Sequence, residues 1–99
     1  MSSITLYQDS EGRQCLKGVL TFVSVPILER QAADLHAADG ELVIDLGEVV
    51  RADSAGLALL VEWTRRAKQR SQPIRFLNVP EQLRAIAAVS GLDGILPLS

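Results

Sequence analysis

Asp53 and Ser54 stand side by side where an apolar strand pattern gives way to a long helical one, inside the run ELVIDLGEVVRADSAGLALLVEWTRRAKQ that begins at Glu41. A helix opens with backbone N–H groups that have no acceptor within the helix. Either the Asp53 carboxylate or the Ser54 hydroxyl can supply one. A serine at that point has two further chemical uses. Its hydroxyl can contact a partner, or it can accept a phosphate, whose charge suits the amino end of its own helix but burdens a packed interface. Small Ala55 and Gly56 let a second surface come close. Asp45, Glu48 and Asp53 bring carboxylates to the ends of the same strand and its turn. Acids in turns ordinarily serve as solvated or capping groups, so they are weak candidates for an acid–base pair.

The remaining chemistry is sparse. His36 is the only histidine and Cys15 the only cysteine, which together cannot make a conventional zinc site. Cys15 lies in a strand-like stretch and reads as a buried, inert thiol; His36, near the end of the first helix, reads as a helix-terminal or surface residue. No glycine loop of the G-x-x-x-x-G-K-[ST] type is present to cradle phosphates. The expectation is therefore a protein that is not an enzyme, with no catalytic residues, no cofactor and no metal.

At 99 residues the chain reads as one domain, 1–99, with a modest core. A net charge of −2 argues against an electrostatic nucleic-acid binder. The local basic cluster of Arg65, Arg66, Lys68 and Arg70 fits a solvated helix end, where cations face the last carbonyls. The first residues show no basic stretch followed by an apolar segment, and no apolar run approaches the ~20 residues that span a bilayer. The expectation is a soluble cytoplasmic chain that does not insert into a membrane and reaches one only through a partner.

The elements that position Asp53 and Ser54 follow from periodicity. Residues 4–7 and 14–20 read as strands of a hairpin around the turn Asp9-Ser10-Glu11-Gly12. Ser24-Val25-Pro26, with Ser24 able to cap, opens a helix carrying Ile27, Leu28, Gln31, Ala32 and Leu35, and Asn78-Val79-Pro80 opens another with Leu83, Ile86 and Ala87, ended by Gly91. Between them lie a central strand, Leu42 to Leu46, a turn over 47–52, a long helix from about Ala55 to Arg70 and a strand over 74–77. The order β-β-α-β-α-β-α, with an apolar tail, predicts an α/β fold with a mixed sheet and helices mainly on one side.

At ~100° per residue, Leu57, Leu60, Val61, Thr64 and Ala67 form the stripe expected against the sheet. Ala55, Leu59, Glu62 and Arg66 then fall on the opposite side, with Trp63 on the shoulder. Leu59 beside Trp63, small Ala55 and Ala58 near them, and Glu62 and Arg66 as a polar margin predict a partner-binding surface, because tryptophan and arginine dominate binding hot spots.

The segment Val43-Ile44-Asp45-Leu46, a short turn, then Asp53-Ser54-Ala55-Gly56-Leu57 resembles the signature of STAS domains, which sulfate transporters and anti-sigma-factor antagonists share. The resemblance covers nearly the whole chain, including the Thr21–Pro26 entry to the first helix and the Ser90-Gly91-Leu92 ending. It implies the anti-sigma-factor antagonist-like fold. In antagonists the serine after the aspartate is the phosphoacceptor, which corresponds to Ser54. The fuller string from Arg51 to Trp63 is similar to a narrower branch: small cytoplasmic STAS subunits of the ABC transporter that maintains outer-membrane lipid asymmetry in Gram-negative bacteria. That likeness implies a non-catalytic subunit of an intermembrane phospholipid transporter. Its partner would be the transporter's ATPase subunit, bound through the amino-terminal part of the long helix, and the chain would sit peripheral to the inner membrane through the complex. The alternative it leaves open is an anti-sigma-factor antagonist switched by phosphorylation of Ser54.

Overall fold

A computed structural model describes residues 3–37 and 39–98. The strands are β1 (Ile4–Gln8), β2 (Gln14–Leu20), β3 (Leu42–Ala52) and β4 (Ile74–Leu77); the helices are α1 (Val25–Gln31), α2 (Ser54–Gln69) and α3 (Glu81–Val89). The sheet runs in the order β1-β2-β3-β4. β1 pairs antiparallel with β2, and β3 lies parallel to both β2 and β4. This is the mixed sheet expected from the element order.

The β1–β2 turn is closed by Asp9, whose carboxylate accepts from the backbone N–H groups of Glu11 and Arg13 and from Arg13 Nε. Arg13 thereby holds the Asp9 carboxyl below its usual range. The helices cover one face of the sheet. Ile4, Leu16, Leu20, Leu42, Ile44, Leu46 and Phe76 point into a single core shared with Leu28, Leu60, Trp63 and Leu83. Alternate residues such as Thr5, Lys17 and Arg75 are exposed, as the period of two along a strand requires.

Three details depart from the sequence-based expectation. First, β3 does not end at Leu46. Residues 47–52, expected as a turn, continue the strand as far as the Leu20↔Ala52 pairing. Buried positions fall at 42, 44 and 46 and then at 49 and 52. The alternation breaks because the β2–β3 ladder carries two register shifts, between Cys15 and Lys17 and between Gly18 and Val19, which let β-branched Val49 turn inward. Second, α1 is short. Past Gln31 the chain tightens into i→i+3 turns, Leu35 N to Ala32 O at 3.0 Å and Ala37 N to Asp34 O at 3.1 Å, which still leave Ala32 and Leu35 buried. Third, the Ser24 side chain does not cap α1. It is fully buried, accepts from Thr21 N and donates to Val19 O, closing the loop before the helix.

Both outer strands are engaged by the chain itself. On β1, Leu6 N donates to Gln31 Oε1 at 2.7 Å and Gln31 Nε2 donates to Ile4 O at 3.0 Å. On β4, Phe76 N donates to Pro97 O, and Phe76 forms a parallel bridge with Leu98 of the tail.

Candidate functional site

One residue, Asp53, separates β3 from α2. Its backbone is extended, its own N–H donates to Leu20 O at 3.2 Å, and its carboxylate caps the helix: Oδ1 accepts from Ala55 N at 2.9 Å and Gly56 N at 3.2 Å. The other oxygen, Oδ2, accepts from Phe22 N at 3.2 Å. Of the two capping candidates, the carboxylate does the work. It lies one residue ahead of the first helical position, with the reach to bond N–H groups two and three residues on. A Cβ on Gly56 would meet Leu20 O at 2.6 Å, so glycine lets this end of α2 rest directly on the end of β2.

Ser54 is thereby free. It is exposed at the first position of α2, and its hydroxyl makes no hydrogen bond among the described residues. It opens onto a groove of about 300 Å³ lined by Ser54, Leu57, Ala58, Val61, Ser90 and Leu92, between α2 and the carboxyl end of α3. Leu57, Val61 and Leu92 give it an apolar floor and the two serines give it hydroxyls. Val89, beside Ser90, is 92% exposed.

The predicted outer face of α2 needs correction. Leu59 and Trp63 are 5% and 0% exposed; they belong to the core and line no surface. The indole N–H of Trp63 donates to Glu29 Oε1 of α1 at 3.1 Å. The helix is flanked by α1 on one side and α3 on the other, so its apolar stripe is wider than the sheet alone requires. The buried positions 56, 57, 59, 60, 63 and 67 centre on the direction of Gly56 and Ala67. The exposed strip therefore runs along Ser54, Ala58, Arg65 and Gln69.

Of the predicted partner-binding set, Ser54 and Ala58 share the groove, while Ala55, Glu62 and Arg66 are half-buried. Glu62 accepts from Arg65 at 2.9 and 2.5 Å and from Arg66 Nε at 2.9 Å, and Arg66 also meets Glu29 at 3.2 Å. Arg65 first, with Arg66 adding to it, holds the Glu62 carboxyl down at about 2. The Glu62 pairs lie within α2 and the Arg66–Glu29 pair ties α2 to α1, so these charges form less of a free margin than expected.

The three strand-end carboxylates do not converge. Asp45 accepts from Asn78 Nδ2 and Gly47 N, Glu48 accepts from the Tyr7 hydroxyl, and Asp53 caps α2. Cys15 is buried, and burial pushes its thiol up, as an inert residue requires. His36 meets Gln72 just past the carboxyl end of α2, remote from Ser54 along the helix. Among the described residues no cluster of His, Cys, Asp or Glu is able to hold a metal ion, and no helix is long and apolar enough to cross a membrane.

Sequence reasoning missed Leu57, Val61, Ser90 and Leu92 as groove residues, because Leu57 and Val61 were assigned to the sheet and only packing brings α3 beside α2. It also passed over Phe22 and Val23, which are strongly exposed; two adjacent apolar residues in a loop were the available signal.

Comparison with known proteins now adds to this geometry. No curated protein matches the chain. Among solved structures it resembles the anti-sigma factor antagonist SpoIIAA in its unphosphorylated form, with a TM-score of 0.72 at 16% identity over 97% of this chain and 85% of that one. It also resembles an antisigma-factor antagonist STAS domain from Rhodobacter sphaeroides, with a TM-score of 0.61 at 21% identity over 80% of this chain and 88% of that one. At these identities the likeness is one of fold. The family profile described as "Mlab, STAS domain" matches residues 8–97. With the signature run at the β3–α2 junction inside that span, the chain belongs to the Mlab-type STAS domain family.

Proposed function

We propose that this chain is a non-catalytic subunit of an intermembrane phospholipid-transport ABC transporter, one that binds and supports the ATPase subunit on the cytoplasmic side of the inner membrane. STAS domains are interaction and regulatory modules, and the Mlab-type match supports the transporter branch. The observation that carries the reading is the free amino end of α2, where an unbonded Ser54 hydroxyl borders the apolar groove over Leu57, Ala58 and Val61. The groove suits a packed protein contact with one or two hydroxyl hydrogen bonds at its edge. The test is co-purification with the transporter's ATPase subunit. Wild type should be retained, and Ala58→Arg, which drives bulk and charge into the groove from an exposed position, should be lost while melting like wild type. Retention of Ala58→Arg at wild-type affinity would move the contact elsewhere.

A second reading, an anti-sigma-factor antagonist switched at Ser54, draws on one specific feature: Asp53 carries the cap, so the Ser54 hydroxyl is exposed and unengaged. Substantial phosphate occupancy at Ser54 in growing cells, measured by mass spectrometry, favours this reading; its absence favours the transporter subunit.

A further inference from the structure

The loop between β2 and α1 carries Phe22 and Val23 at 72% and 63% exposure. An isolated apolar residue on a surface is ordinary, but here two neighbours stand out together on a loop that is held rigidly. Thr21 N donates to Ser24 Oγ at 2.9 Å, Ser24 N and Val25 N both donate to Thr21 O, and the buried Ser24 hydroxyl donates to Val19 O. Phe22 N donates to Asp53 Oδ2. None of these bonds uses the side chain of Phe22 or Val23, so the loop keeps its shape without them. A loop backbone already held in place loses little further freedom when a partner covers the two apolar side chains, which favours them as an anchor.

The loop is physically continuous with the amino end of α2. One Asp53 oxygen caps the helix and the other holds Phe22, so a single carboxylate links the loop to the start of α2. Beside them lies a second depression, about 300 Å³, lined in part by Val19, Thr21, Phe22, Val23, Arg51 and Asp53. Arg51 is exposed there and forms no ion pair among the described residues, while the nearby Asp53 carboxylate is committed to backbone N–H groups.

We infer that Phe22 and Val23 are a second anchor for the same ATPase partner, inserted into an apolar socket whose rim carries an acidic group facing Arg51. This rests on the docking function proposed above, and it adds the loop and the character of the partner's surface to it.

The test is the Kd for the purified ATPase subunit, with thermal melts, for wild type, Phe22→Ser/Val23→Ser, Arg51→Glu and Ala58→Arg, all as full chains. The double variant should raise Kd at least about thirtyfold, the hot-spot range, with an unchanged melting temperature. Arg51→Glu should raise Kd about tenfold, as expected when like charges meet across an interface. If the double variant binds as wild type does while Ala58→Arg does not, the loop anchor is overturned and docking through α2 stands. If wild type itself fails to bind, both are overturned. If the double variant melts well below wild type, the two side chains serve the fold, and the anchor assignment falls.

Discussion

The Trp63 indole N–H and the Glu29 carboxylate meet at 3.1 Å across the contact between α1 and α2. Glu29 also takes Arg66 of α2. A tryptophan, an adjacent apolar residue and a flanking arginine are what a protein-binding face is made of, and here the face is already occupied by the chain's own first helix. Surface left for a partner lies about a third of a turn away, along Ser54 and Ala58.

That rotation makes a sharp expectation for three consecutive residues. Leu59→Asp and Leu60→Asp both place an unpaired carboxylate in the core, at 5% and 0% exposure. A buried, uncompensated charge costs about 3 kcal/mol or more, a large share of a total stability of roughly 5–15 kcal/mol. Both should lose cooperative melting. Ala58→Asp, on the exposed strip, should melt like wild type and fail only in binding. A Leu59→Asp protein that melts normally would return Leu59 to the surface.

The Glu29–Trp63 bond has its own signature. Glu29→Ala leaves the indole N–H without a partner and should cost about 1–3 kcal/mol in urea unfolding. Trp63→Phe/Glu29→Ala removes both partners, and the second loss should fall short of additive with the single Trp63→Phe change. Additive losses would show that the two residues act independently.

Capping separates Asp53 from its neighbour. Asp53→Ala should destabilise by about 1–2 kcal/mol, the usual worth of an N-cap, and should loosen the Thr21–Ser24 loop through the lost bond to Phe22 N. Ser54→Ala, whose hydroxyl makes no hydrogen bond among the described residues, should stay within about 0.5 kcal/mol. Hydrogen exchange at Phe22 N–H, Ala55 N–H and Gly56 N–H distinguishes the two variants directly.

Tyr7 supplies a pH prediction. Its hydroxyl donates to Glu48, which raises the phenol above its ordinary value of 10.0. A raised folded-state value means stability that is present below pH 10 and is lost as pH climbs through the folded-state value. Tyr7 is the chain's only tyrosine, so tyrosinate absorbance reads it alone. Glu48→Gln should bring its titration back towards pH 10.

Much of the fold was legible in local pattern. The hairpin turn showed in Asp9 to Gly12, the central strand in its apolar run, and the start of α2 in Asp53 and the small residues after it. The strand beyond Gly47 was not, because its inward positions follow register shifts set by β2. The orientation of α2 was not either. A helical wheel gives the angle between Leu59 and Leu60, while which neighbours cover each side depends on where α1 and α3 settle. Trp63 next to Leu59 was read as a partner-binding surface, and the pattern held no mark to say that this side is covered within the chain's own core.

Gln31 lends the outer edge of β1 a side-chain amide in place of a neighbouring strand, and the tail bridge at Phe76 does the same service for β4. Strand addition, a recurring way for one sheet to recruit another polypeptide, thus meets edges where Leu6 N, Ile4 O and Phe76 N already have partners within the chain. The helical side and its loops offer a partner side-chain packing that leaves those backbone bonds in place.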